Sequence, residues 1–183
     1  MNKKNVSSAL SPEYVLLGFL AQRPAHGYDL HEQVQRELGQ IWQISLSQTY
    51  NILKRLEAKG YIVGVLQEQE KAPARRRFRL TTLGHRRFAE WLKVPAEPSA
   101  RAIRVEFLTR LYFTYITDPQ AARGLIEKQS AAIQTGMAHL TVMLSELPSE
   151  QAFNQLGLDL RLRQLTSILD WLTECQTILG FEP

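Results

Sequence analysis

The sequence predicts a mainly α protein, an N-terminal winged helix-turn-helix with a two-stranded β wing followed by a C-terminal three-helix dimerisation domain. Three observations predict it. Three helical segments precede two short alternating runs in the first half. A link with two prolines, Val94-Pro95-Ala96-Glu97-Pro98-Ser99, divides the chain. Beyond that link, apolar residues recur in steps of four and three. The expected domains are residues 1–93 and 94–183.

The first helix is announced by Leu10-Ser11-Pro12-Glu13. Ser11 suits the N-cap and Pro12 the first helical position, and Leu10 is placed to staple onto Val15. YVLLGFLAQ is apolar on most sides, so this helix should be central. Pro24-Ala25-His26-Gly27 reads as a turn, with His26 stabilising it. A second helix, Tyr28 to Leu38, turns Leu30, Val34 and Leu38 inward, and Gly39 stops it. Trp42 and Ile44 are expected to pack beneath the next connection.

The segment from Ser45 to Gly60, SLSQTYNILKRLEAKG, is the one the rest serves. Ser45 and Gln48 form a capping box, and Gly60 takes the left-handed position after the helix. Thr49, Ile52, Leu53 and Leu56 make the buried face. The opposite face carries Ser47, Gln48, Tyr50, Asn51, Lys54 and Arg55. Short hydrogen-bonding groups near the start and cations further along are what a helix needs in a DNA major groove.

YIVGVLQEQ then reads as a strand and Lys71-Ala72-Pro73-Ala74 as a loop tip. Arg75-Arg76-Arg77-Phe78-Arg79-Leu80 returns as a second strand. Alternation places Phe78 and Leu80 inward and Arg75, Arg77 and Arg79 outward. Arg75 and Arg77 are the expected phosphate contacts. Thr82 is placed to cap a further helix, Leu83 to Lys93, with Phe88, Trp91 and Leu92 inward.

These residues resemble the PadR family of transcriptional regulators. The matching pieces are Tyr14 to Leu30, the run Tyr50-x-x-Leu53-x-Arg55-Leu56-Glu57-x-x-Gly60, and Phe78 to Gly84 with Trp91-Leu92. Glu106 to Phe113 resembles the segment that opens the C-terminal domain of the longer-tailed subgroup. Phe78 departs from the usual Tyr and removes one hydroxyl. The resemblance implies a homodimeric, usually repressing, regulator of small-molecule responses.

After the link, a helix from Ala100 to Ile116 is apolar at Ile103, Phe107, Leu108, Leu111, Tyr112, Tyr115 and Ile116. Asp118-Pro119 starts the next. Its seam runs Ala122, Ile126, Gln129, Ile133, Gly136, Leu140, Met143 and Leu147, with Gln129 and Gly136 its weak members. Ser149 is expected to cap the last helix. That helix has one stripe at Leu158, Leu162, Leu165, Leu169 and Leu172, and another at Ile168, Trp171, Cys175 and Ile178. Two stripes call for two partners, so a homodimer is expected. Phe107, Tyr112 and Trp171 are the residues placed to receive a small apolar or aromatic effector.

Composition narrows the function. The net charge of +4 is unevenly spread: residues 1–93 carry 15 Lys and Arg against 8 Asp and Glu, and residues 94–183 carry 7 against 10. Only the first half suits a polyanion. No apolar run approaches the roughly 20 residues that cross a bilayer, and the N-terminus lacks a signal-peptide core, so a cytoplasmic location and no membrane partner are expected. The single Cys175 excludes an internal disulfide and a cysteine metal cluster. His26, His31, His85 and His139 are scattered, and no phosphate loop or metal-ligand spacing occurs. Neither an enzyme nor a cofactor is expected. The expected function is a DNA-binding regulator of an operator, a repressor released by its effector. The alternative is a winged-helix protein–protein adaptor, which needs neither a basic wing nor a polar recognition face.

Overall fold

A computed structural model describes residues 11–69 and 72–181. The chain divides into two compact units, Met1–Val94 and Pro95–Pro183. In the first, the order is α1 (Glu13–Gln22), β1 (Ala25–His26), α2 (Gly27–Leu38), α3 (Leu46–Ala58), β2 (Ile62–Gln69), β3 (Ala72–Leu80) and α4 (Thr82–Lys93). Every residue of α1 from Glu13 to Leu20 is buried, which is what an all-round apolar helix demands. It packs on α2, α3, α4 and β3. Tyr14 stacks on Trp91 of α4 with ring centroids 4.4 Å apart.

The start of α1 differs slightly from expectation. Ser11 Oγ accepts from the Glu13 backbone N–H at 3.3 Å, and Pro12 sits at the N-cap. The proposed staple from Leu10 lies outside the described residues.

The wing belongs to a three-stranded antiparallel sheet of order β1-β3-β2, where two strands were expected. Ala25 and His26, read as turn, are extended and pair with Phe78 and Arg77 of β3. Two residues carry no period, and only β3's free edge makes them a strand. Ala72, Pro73 and Ala74, expected in a loop tip, belong to β3. The α4 cap shifts by one residue: Thr81 Oγ1, not Thr82, accepts from the Gly84 N–H at 3.1 Å.

The second unit holds α5 (Ala100–Ala102), a π-helical turn (Ile103–Phe107), α6 (Leu108–Thr117), α7 (Pro119–Ser145) and α8 (Ala152–Ile178). The first three segments occupy the expected single helix, and the π turn was not foreseen. Glu106 and Arg110 form an ion pair one turn apart on its inner side, with both side chains at most 3% exposed. A charge is kept that deep only with a partner at hand.

Asp118 caps α7 through its Oδ1, 3.0 Å from the Ala121 N–H, with Pro119 following. The seam is buried at Ala122, Ile126, Gln129, Ile133 and Leu140, while Met143 is exposed. Its two weak members have a common explanation. The Gln129 side chain accepts from the Ala96 N–H at 2.8 Å and donates to the Ala96 carbonyl at 3.0 Å. At Gly136, a Cβ would stand 3.1 Å from Pro98 Cγ. The segment read as a link between domains is therefore strapped along α7.

Two readings of α8 need correction. Ser149 does not cap it; Gln151 stands at the N-cap, and the Ser149 hydroxyl bonds to Glu150 Oε1. The second stripe is not left over either. Cys175 is buried, Ile168 and Trp171 pack on the same core as Leu165 and Leu172, and only Ile178 is exposed.

Candidate nucleic-acid interface

The capping box that starts α3 is complete. Ser45 Oγ accepts from the Gln48 N–H at 3.2 Å, and Gln48 Oε1 accepts from the Ser45 N–H at 2.7 Å. Gln35 of α2 donates to the Ile44 carbonyl at 3.0 Å, fixing the turn before it. At the other end Gly60 has φ of 71°, in the left-handed region that favours glycine. Thr49, Ile52, Leu53 and Leu56 are buried, as their spacing predicts. Ser47, Gln48, Tyr50, Asn51, Lys54 and Arg55 are exposed.

Tyr50, Asn51 and Lys54 line a cleft of about 1060 Å³. The start of α2, from His26 to Asp29, closes one side, and Arg75, Arg76 and Phe78 of β3 close another. Recognition helix and wing thus face one space. Its cations, Lys54, Arg75 and Arg76, share the lining with Asp29, Glu57, the Asn51 amide and the half-exposed rings of Tyr28 and Tyr50. Tyr50 is held in place by close approach: a Cβ on Gly27 would lie 2.7 Å from its Cε1.

Four expected contact residues, Ser47, Gln48, Arg55 and Arg77, do not line this cleft. Arg55 turns to α1, with Nε 3.4 Å from Glu13 Oε1. Lys59 reaches the same oxygen at 3.2 Å, and Arg87 the other at 3.8 Å. Glu13 is 5% exposed, and a carboxylate that buried needs such cations around it. Arg77 reaches toward the β1 edge of the sheet, where its Nη2 donates to the Pro24 carbonyl at 3.4 Å. It lines a second, smaller cleft with Arg23, Asp29 and Arg36. Gln48 lies at the head of α3 with its carbonyl oxygen committed to the cap, leaving only its amide N–H groups outward.

Sequence reasoning passed over Arg76 and Glu57. Arg76 Nη2 donates to Glu57 Oε1 at 2.7 Å, and the guanidinium lies over the Phe78 ring, 5.5 Å from its centroid. The signal was an acid, Glu57, on a helix otherwise rich in cations. His26, expected to stabilise a turn, instead ties β1 to β3: its Nδ1 donates to the Arg76 carbonyl at 3.0 Å.

The residues expected to receive an effector lie in the second unit. Phe107 is fully buried and meets Trp171 edge-on, with centroids 6.2 Å apart. Tyr112 is half-buried and meets Phe113 edge-on at 5.1 Å. Among the described residues no group of acids, histidines and cysteine is arranged to hold a metal, and no helix is long and apolar enough to cross a membrane.

Residues 16–90 match the model of the Transcriptional regulator PadR-like family. Residues 103–180 match a second model, described as Virulence activator alpha C-term. The chain is also 29% identical, over 128 residues and 70% of either chain, to the Negative transcriptional regulator PadR of Bacillus subtilis strain 168. Over residues 16–90 the chain belongs to the PadR-like family of transcriptional regulators. Among solved structures it is similar to smu.1704 from Streptococcus mutans UA159, at 31% identity over 47% of this chain and 76% of that one, with a TM-score of 0.41. It is also similar to Bacillus subtilis PadR in complex with operator DNA, at 25% identity over 91% of this chain and 98% of that one, with a TM-score of 0.46. As a PadR-like regulator the chain sits in a family of transcription factors, not of enzymes.

Proposed function

We propose that this regulator binds operator DNA as a homodimer and represses transcription. One observation carries the reading: Asn51 and Lys54 of α3 share a cleft with Arg75 of the wing. An amide suited to a base edge and two cations suited to phosphates are thereby presented together. Ser47 and the free amide of Gln48 extend the base-reading end of α3, and Tyr50 packs at its flank. Arg77 and Arg55 contribute positive potential, with contact assigned first to Arg75 and Lys54. The segments 1–93 and 94–183 divide the work into DNA binding and assembly.

The homodimer is supported by apolar side chains left in solvent, among them Phe153 at 89% exposure and Leu156 at 63%. A soluble monomer rarely keeps so much together. Two recognition helices then meet half-sites about one helical turn apart. The sign of regulation follows the Bacillus subtilis relative, named a negative regulator. A small apolar or aromatic effector would act at Phe107 and Trp171, with Tyr112 on the neighbouring turn, by loosening the edge-on ring contact.

A second reading, activation, is favoured by the description of the model that matches residues 103–180. Gel-shift of the full chain on its own upstream DNA, beside a scrambled duplex, tests binding. A reporter from the same promoter gives the sign. Equal affinity for both duplexes leaves the adaptor role instead.

A further inference from the structure

Glu57 places a negative charge beside a cleft that, on the reading above, receives a polyanion. Charge alone would disfavour it there. Its contacts explain its presence. Glu57 lies in the last turn of α3, and its Oε1 accepts from the Gly64 N–H of β2 at 2.9 Å and from Arg76 Nη2 of β3 at 2.7 Å. One carboxylate oxygen thus ties the recognition helix to both strands of the wing. Arg76 Nη2 also lies 3.5 Å from the Gly64 carbonyl. The guanidinium passes over β2 at a place where any side chain would block it. A Cβ at Gly64 would stand 2.9 Å from Arg76 Nη2 and 2.9 Å from Phe78 Cε1. The buried Phe78 ring cannot yield easily, so a methyl group there would push the arginine away.

We propose that Glu57, Arg76 and Gly64 form a positioning clamp that sets the wing against α3, and so fixes the spacing between Asn51, which reads bases, and Arg75, which meets phosphate. The inference rests on the DNA-binding reading. In it Arg76 is a tie rather than a phosphate contact, although its sequence neighbours suggest otherwise. Charge-assisted hydrogen bonds are shorter and more directional than neutral ones, so this pair adds a geometric tie to strand packing.

Two variants of the full chain test it without changing net charge: Gly64→Ala, and the double variant Glu57→Ala with Arg76→Ala. Each is titrated with the chain's own upstream duplex and with a scrambled duplex, at several salt concentrations. The clamp predicts that affinity for the scrambled duplex and its salt slope stay as in the wild type. Affinity for the upstream duplex falls by about tenfold, the scale of coupled neighbours. Arg75→Ala, measured alongside, lowers the slope by about one instead. An upstream-to-scrambled ratio within about twofold of wild type in both variants overturns the clamp. So does an equal fall for both duplexes, which reports lost fold rather than lost spacing. If one variant unfolds by circular dichroism, the other carries the test. A wild-type chain that fails to distinguish the duplexes removes the DNA-binding reading itself, and the clamp with it, so the two failures are separable.

Discussion

Gln129 meets both backbone polar groups of Ala96 with one side chain, accepting at 2.8 Å and donating at 3.0 Å. Both residues are buried, at 0% and 3% exposure. The pair mimics one rung of a β ladder and pins the Pro95–Ser99 strap to α7. Gln129→Leu improves the apolar seam but strands an N–H and a carbonyl away from water. We expect a net loss of about 2–3 kcal/mol in urea unfolding. A variant as stable as wild type would mean that the strap lifts off at little cost.

Gln48 and Asn51 are both amides on α3, yet different outcomes are expected. Gln48→Ala breaks the capping box and should cost about 1 kcal/mol of stability. Its effect on discrimination between operator and scrambled DNA should be smaller. Asn51→Ala should leave the melting temperature unchanged and lose about 1–3 kcal/mol of discrimination. Paired thermal melts and binding titrations separate these effects, and an Asn51 variant with the wild-type affinity ratio takes base reading away from this residue.

Arg75 and Arg77 share one face of β3 by alternation, yet they line different clefts. Arg75 lines the cleft with Asn51, and Arg77 reaches back to Pro24. Arg75→Ala should flatten the log–log salt dependence of DNA binding by about one unit. Arg77→Ala should change the slope by clearly less. Equal slopes in the two variants would show that Arg77 meets the duplex as Arg75 does.

The sequence made some of this legible, and the reasons are local. The α3 caps, its buried face and the inward Phe78 and Leu80 follow from contacts within a few residues. What escaped depends on a partner far away in the chain. Helical spacing puts Arg55 four residues after Asn51, but Glu13 of α1 draws it elsewhere. The Glu57–Arg76 tie needs the hairpin register that sets Gly64 opposite Phe78, and no period reveals a register. The strap explains Gln129 and Gly136 only once Ala96 and Pro98 are seen against α7.

Cys175 should be a poor nucleophile. Burial, helped by the nearby Glu174 carboxylate, pushes its thiol up to about 11. The folded value lies above that of an exposed thiol, so the folded chain keeps its proton longer than the unfolded one. Stability is therefore unaffected at neutral pH and declines as pH rises from the unfolded thiol value toward the folded one. Labelling by iodoacetamide at neutral pH should be much slower than in urea. Equal rates would mean that the site opens readily.

The last expectation concerns assembly. Phe153, Leu156 and Leu160 recur along one face of the first turns of α8 and are 89%, 63% and 56% exposed. Val142 and Met143, near the end of α7, are 53% and 42% exposed. Only Glu146–Gln151 separates the two helices, so these side chains gather at one end of the α7–α8 hairpin. This is a different surface from the second stripe of α8, most of which the chain's own core absorbs. If a second copy covers it, replacing Phe153, Leu156 and Leu160 together with Ser removes apolar contact from the interface and none from the core. The triple variant should keep its far-ultraviolet circular dichroism and sediment as a monomer where the wild type sediments as a dimer. Affinity for a two-half-site operator should fall with it, because each module then binds alone. A wild type that sediments as a monomer at micromolar concentration defeats the homodimer. A triple variant that still dimerises moves the interface away from this end of the hairpin.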